Sequence, residues 1–195
     1  MNRVAALLAV AALLAAAAIL AHAQGNPEAG KQKAVACAAC HGPDGNSPSG
    51  QFPSLAGQTA RYLYFQMKDF KEGRRKDPLM SPMAAGLSKQ DMHDLAAYFS
   101  AQKPVSARFQ VESAKVTEGK KIADAALCTM CHQGSFAGQN EIPRVAGQRY
   151  DYIVKQLKDF RAKARTNDAG NMTSVSKGLT DEQIDALAQY ITNLD

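Results

Sequence analysis

Cys37-Ala38-Ala39-Cys40-His41 recurs ninety-one positions later as Cys128-Thr129-Met130-Cys131-His132, and the two pentapeptides hold every cysteine of the chain. Thiols three positions apart lie on one side of a helical turn, where each can add to a vinyl group of one haem. A histidine directly after the second thiol is then held against the iron as its proximal ligand. Other chemistries use the residues less completely. A redox dithiol needs a βαβ setting that the chain lacks. A four-cysteine zinc site gives no reason for a histidine after each pair. Two disulfides, which an exported chain could form, leave the histidines unexplained as well. The expected cofactors are therefore two haem c groups, attached through Cys37 and Cys40 and through Cys128 and Cys131, with iron on His41 and His132.

A haem iron held by one histidine needs a sixth ligand, and in a duplicated chain it should occupy the same place in both copies. Met80 lies eight residues before Ser88, and Met172 lies eight before Thr180. Both are expected in polar loops ahead of the last helix of their copy. Met83 is the alternative to Met80, but its counterpart is Val175, which cannot bind iron. A packing role against the porphyrin is the competing reading of these methionines. A thioether ligand favours ferrous iron and raises the reduction potential, and six-coordination leaves no place for a substrate, so no catalytic residues are assigned. Pro53 and Pro143 follow the two histidines by twelve and eleven residues. Their carbonyls could accept the histidine Nδ1–H; alternatively they only shape a loop. His93 has no counterpart and is expected at the surface.

The elements that must position these residues repeat too. Leu55-Ala56-Gly57-Gln58 returns as Val145-Ala146-Gly147-Gln148, Gln66-Met67-Lys68-Asp69-Phe70 as Gln156-Leu157-Lys158-Asp159-Phe160, and Leu95-Ala96-Ala97-Tyr98 as Leu187-Ala188-Gln189-Tyr190, at offsets of 90 to 92. Such self-similarity marks a tandem duplication. The expected organisation is 24–103 and 112–195 as two domains with 104–111 as linker, where Pro104 stops a helix. Each copy is about 80 residues, small for a self-sufficient core, and a buried haem would fill it. Helices are expected over Pro27 to Cys37, Thr59 to Lys71, Thr117 to Cys128 and Tyr150 to Ala164. Two more are capped by Ser88, with Met92, Leu95, Ala96 and Phe99 on one face, and by Thr180, with Ile184, Leu187, Ala188 and Ile191. No sustained alternation marks a strand. The fold class is all-α, two small domains each wrapped around a haem.

Met1-Asn2-Arg3, an apolar run from Val4 to Leu20 and Ala21-His22-Ala23 read as an export signal over residues 1–23, cleaved before Gln24; an uncleaved anchor is the alternative. Covalent haem attachment on the exported side fits a periplasmic location. The formal charge is +5, or +4 without Arg3. The basic residues are scattered, and the runs Arg74-Arg75-Lys76 and Lys158 to Arg165 read as solvated faces, so nucleic acid is not an expected partner.

Several longer stretches carry a resemblance. Cys40-His41-Gly42-Pro43-Asp44-Gly45-Asn46-Ser47, Phe52-Pro53-Ser54-Leu55-Ala56-Gly57-Gln58, Asp94-Leu95-Ala96-Ala97-Tyr98-Phe99, Lys158-Asp159-Phe160-Arg161 and Arg165-Thr166-Asn167-Asp168 resemble the dihaem cytochrome c4 family, within the class I cytochromes c. The resemblance implies two cytochrome c folds with haem edges facing and propionates close. It implies His41 and Met80 on one iron, and His132 and Met172 on the other. The function it implies is periplasmic electron transport in a respiratory chain, often at the membrane surface, from a donor such as a cytochrome bc complex toward a haem-copper oxidase. This chain departs from the pattern in its first methionine loop, which is short and holds Pro78 and Met83. A dihaem subunit of a flavoprotein dehydrogenase remains an alternative, as does a dihaem enzyme such as a peroxidase or thiosulfate-oxidising cytochrome.

Overall fold

The computed structural model describes residues 25–107 and 110–195, so the expected export signal lies outside the described residues. The first half runs α1 (Pro27–Lys33), a 3-10 turn (Ala34–Cys37), α2 (Ala38–His41), α3 (Ala60–Lys71), α4 (Met80–Ala85) and α5 (Lys89–Ser100). The second runs α6 (Ser113–Ala125), α7 (Cys128–His132), α8 (Tyr150–Arg161), α9 (Asn171–Ser176) and α10 (Asp181–Thr192). Among the described residues the only extended pairing is one isolated bridge, Gln139 with Ile142. The all-α reading holds.

The same contacts build each half. α5 starts at Ser88, whose hydroxyl accepts from Asp91 N while the Asp91 carboxylate accepts from Ser88 N, and α10 starts with the equivalent Thr180–Gln183 box. Each box satisfies amides that the first helical turn leaves unpaired. The last helix of each half then packs on the first and third, α5 on α1 and α3, α10 on α6 and α8. The first crossing needs glycine. A Cβ on Gly30 would stand 2.0 Å from the Asp94 carbonyl oxygen, and one on Gly119 would stand 2.1 Å from that of Ala186. Two separate cores result. One holds Ala34, Leu63, Leu95, Ala96, Tyr98 and Phe99. The other is built on Ala123, Phe136, Ile153, Leu157, Ile184, Leu187 and Ile191.

Some elements differ from expectation. The helix expected to run unbroken into Cys128 stops at Ala125, and Leu127 adopts a left-handed φ of 54° before α7 begins. The methionine loops are not irregular: Met80 opens α4 and Met172 is the second residue of α9. Asp77 explains the first of these, because its carboxylate accepts from the amides of Leu79 and Met80, both at 2.9 Å, and caps the turn.

The halves meet through polar contacts. The Thr59 hydroxyl donates to the Asn140 carbonyl at 2.5 Å, and Arg61 pairs with Glu141 at 3.1 Å. The connecting segment is strapped to both sides, with Val105 N donating to Asn46 Oδ1 at 2.8 Å and the Ser106 hydroxyl to the Leu194 carbonyl at 2.6 Å.

Candidate functional site

Each pentapeptide wraps a single turn. Cys37 closes the 3-10 turn and Cys40-His41 end α2, whereas Cys128 to His132 form α7 alone. All four thiols are free of disulfides; Cys131 is exposed and the others are partly buried. Burial, with the neighbouring Cys40 second, pushes the Cys37 thiol above its ordinary pKa, and burial is also the largest cause of the rise at Cys128. Both are therefore neutral thiols, the form expected of residues in an apolar pocket.

The histidines are held identically. His41 Nδ1 lies 2.8 Å from the Pro53 carbonyl oxygen, and His132 Nδ1 lies 2.9 Å from that of Pro143. A carbonyl only accepts, so Nδ1 carries the proton and Nε2 keeps its lone pair. Burial lowers both imidazole pKa values, and the proline carbonyl offsets part of that shift. The neutral ring with a free Nε2 is the form that ligates iron. Of the two readings of the prolines, carbonyl acceptor and loop shaper, the first matches these contacts.

One turn is built differently in the two halves. Gly45 has φ 83°, and its carbonyl accepts from Leu55 N and Ala56 N. Phe136 makes the same two bonds, with Val145 N and Ala146 N, at φ 58°. Half one has no room for a side chain there, since a Cβ on Gly45 would meet the Phe99 ring at 2.7 Å. The counterpart of Phe99 is the smaller Ile191, and Phe136 is 2% exposed in the second core, stacked 6.4 Å from His132. A phenyl from the turn thus replaces a phenyl from the helix.

The methionines are placed as follows. Met172 is partly buried and packs against the second core, as Cys128 does. Met80 is partly buried at the start of α4, while Met83 is 50% exposed one turn on. His93 is neither fully exposed nor a ligand candidate; it stacks on Tyr64 at 4.2 Å with planes 12° apart.

Sequence reasoning missed the polar seam between the halves. Arg75 and Arg165 belong to runs read as solvated, yet Arg165 is 9% exposed and both reach side chains of the opposite half. Their signal was present in the repeat, as equivalent arginines beyond equivalent helices, rather than in local charge.

The donor set fits a haem. Each half offers two free thiols, an imidazole whose Nδ1 is bonded to a proline carbonyl, and a thioether later in the repeat. Among the described residues, the side-chain atoms Arg149 Nε, Asp168 Oδ1, Thr173 Oγ1, Ser176 Oγ and Thr192 Oγ1 are buried without a hydrogen-bond partner. Two such helical domains in tandem define a dihaem c-type cytochrome. The cytochrome c family model matches residues 27–103 and again 116–195. The chain is 43% identical over 191 residues to cytochrome c4 of Azotobacter vinelandii, covering 89% of this chain and 91% of that one. It is similar to the solved structure of reduced recombinant cytochrome c4 from Pseudomonas stutzeri, with a TM-score of 0.82 and 39% identity over 88% of this chain and 100% of that one. A thiosulfate dehydrogenase electron acceptor of Stutzerimonas stutzeri is 34% identical over 98% of this chain and 92% of its own length. The chain belongs to the cytochrome c4 family, and with that membership come two covalently bound haem c groups and the role of an electron-transfer protein.

Proposed function

We propose that this protein is a periplasmic carrier that passes electrons through a respiratory chain toward a haem-copper oxidase. Cys37 and Cys40 hold one haem, with His41 and Met80 on its iron; Cys128 and Cys131 hold the other, with His132 and Met172. The observation that carries the ligation is the matched pair of histidine Nδ1–proline carbonyl bonds, 2.8 and 2.9 Å, which aim an unprotonated Nε2 in each half. When bound, each haem supplies a one-electron couple. The chain does the rest. The proline carbonyls fix ring orientation and raise imidazole basicity, and the thioethers favour the ferrous state. Six ligands per iron exclude small molecules, so electrons pass to proteins rather than to substrates. Among the described residues no helix is long and apolar enough to cross a membrane.

A second reading concerns the donor. The similarity to a thiosulfate dehydrogenase electron acceptor favours an oxidising enzyme of the same compartment as a source of electrons. The test is oxygen uptake by oxidase-containing membranes supplied with the reduced protein, beside turnover of the isolated chain on thiosulfate and peroxide. Uptake that depends on the protein, with negligible turnover on small molecules, supports the carrier; the reverse overturns it.

A further inference from the structure

Two guanidinium groups face one another across the seam. Arg75 follows α3 and Arg165 follows α8 at the same offset as the repeat. Arg75 Nη1 donates to Gln66 Oε1 in its own half at 2.7 Å, while Nη2 donates across the seam to the Tyr152 hydroxyl at 3.0 Å and Gln156 Oε1 at 2.9 Å. Arg165 mirrors this: Nη1 to Gln156 Oε1 at 2.7 Å, and Nη2 across the seam to the Tyr62 hydroxyl at 3.2 Å and Gln66 Oε1 at 3.0 Å. Each cation also lies over a phenyl ring of its own half, Phe70 at 4.6 Å and Phe160 at 4.5 Å.

Each amide oxygen therefore accepts from both cations, which puts the two positive charges close together in a largely desolvated seam. Their acceptors are neutral amides and phenols, with Asn167 on Arg165 Nε. Among the described residues no carboxylate is hydrogen-bonded to either guanidinium. Asp69 gives its oxygens to Arg74 and Asn167, and Asp77, which acts on Arg75 only at longer range, caps α4. Burial alone would raise the Tyr152 phenol pKa, but the charges of Arg75 and Arg165 pull it below its ordinary value. Like charges held this close in a medium poorer than water need an anion. Among the described residues no carboxylate bonds to either cation, and each haem brings two.

We propose that Arg75 and Arg165 form one shared anion site for haem carboxylates, and that this site sets the potentials of both haems together. A positive charge nearby disfavours ferric iron, so the pair holds both potentials up. The proposal rests on the presence of two haems, not on which methionine binds iron.

The test is a spectroelectrochemical titration of the holoprotein and of Arg75→Gln, Arg165→Gln and Arg75→Lys. Either glutamine variant is expected to lower both midpoint potentials, including that of the haem in the opposite half, while Arg75→Lys largely keeps them. Wild-type potentials should not change when phosphate replaces chloride at fixed ionic strength. An unchanged near-infrared sulfur-to-iron band in the variants shows that ligation is intact and separates this outcome from a failure of the ligand assignment. A shift confined to one haem, or no shift, overturns the proposal. So does an anion-dependent wild-type potential that the variants abolish, because the occupant is then a solution anion. Should the arginine variants not fold, Gln156→Glu places a negative charge between the two cations at nearly constant shape; it should lower both potentials, and unchanged values overturn the claim.

Discussion

Gln58 and Gln148 make the same pair of hydrogen bonds in opposite directions across the seam. Gln58 Nε2 donates to the Arg144 carbonyl at 2.8 Å and its Oε1 accepts from Arg144 N at 2.7 Å. Gln148 Nε2 donates to the Ser54 carbonyl at 2.9 Å and its Oε1 accepts from Ser54 N at 2.8 Å. Ser54 and Arg144 each follow the proline whose carbonyl holds the axial histidine candidate. The interface therefore clamps the loop that orients each imidazole, and it does so from the other half.

That clamp predicts coupled unfolding. Gln58→Ala or Gln148→Ala leaves a partly buried backbone N–H and C=O unpaired, at a cost of about 1 kcal/mol. Calorimetry should show one cooperative transition for the wild type and two separated transitions for the double variant. Two transitions already present in the wild type would contradict the coupling.

Acid should loosen the first half through Asp91. The Ser88 hydroxyl, and after it Lys33 at 2.9 Å, hold this carboxylate at about 2. A depressed folded-state pKa gives stability that is present above the ordinary carboxylate value of about 4 and is lost as pH falls toward 2. Ser88→Ala should cost about 1 kcal/mol at neutral pH and flatten the stability profile between those values, measured by urea unfolding. An equally steep acid loss in the variant would rule out Asp91 as the source. The site is exposed, so salt should shrink the effect.

Lys163→Gly should stabilise the second half. Lys163 is exposed at φ 57°, where its counterpart Gly73 has φ 72°. Relief of about 1–2 kcal/mol of left-handed strain outweighs a glycine entropy cost of about 0.5–1 kcal/mol. The reciprocal Gly73→Ala should destabilise, although a Cβ there meets nothing within 4 Å. Thermal melts of the pair check both signs, and a lower melting temperature for Lys163→Gly would refute the strain argument.

The repeat, both helix caps and the proline acceptors were legible because each depends on residues close in sequence or on the same feature recurring at a fixed offset. What stayed hidden depends on the other half. Arg75 and Arg165 look like parts of basic surface runs until the second copy supplies Gln156 and Gln66 as acceptors. Phe136 in a left-handed turn could not be read from a pattern in which glycine holds that place, because the space for it comes from Ile191 replacing Phe99. The segments around Met80 and Met172 are rich in Pro, Ser, Asn and Gly and predict loops, and the Asp77 side chain that caps the first short helix lies outside it.

Attachment should govern folding of the second half. With Cys128 and Met172 packed against its core, Cys128→Ala combined with Cys131→Ala should leave that half without haem and open to proteolysis. Undiminished protease resistance of 112–195 would contradict this.

The central claim is one histidine and one methionine on each iron, and the most direct measurement is the near-infrared sulfur-to-iron band of the ferric protein with its spin state. The account predicts two low-spin haems, loss of about half the band in Met172→Ala and again in Met80→Ala, and an unchanged band in Met83→Ala. A high-spin wild-type protein at neutral pH would contradict the ligation outright, and loss of the band in Met83→Ala with retention in Met80→Ala would move the first ligand to Met83.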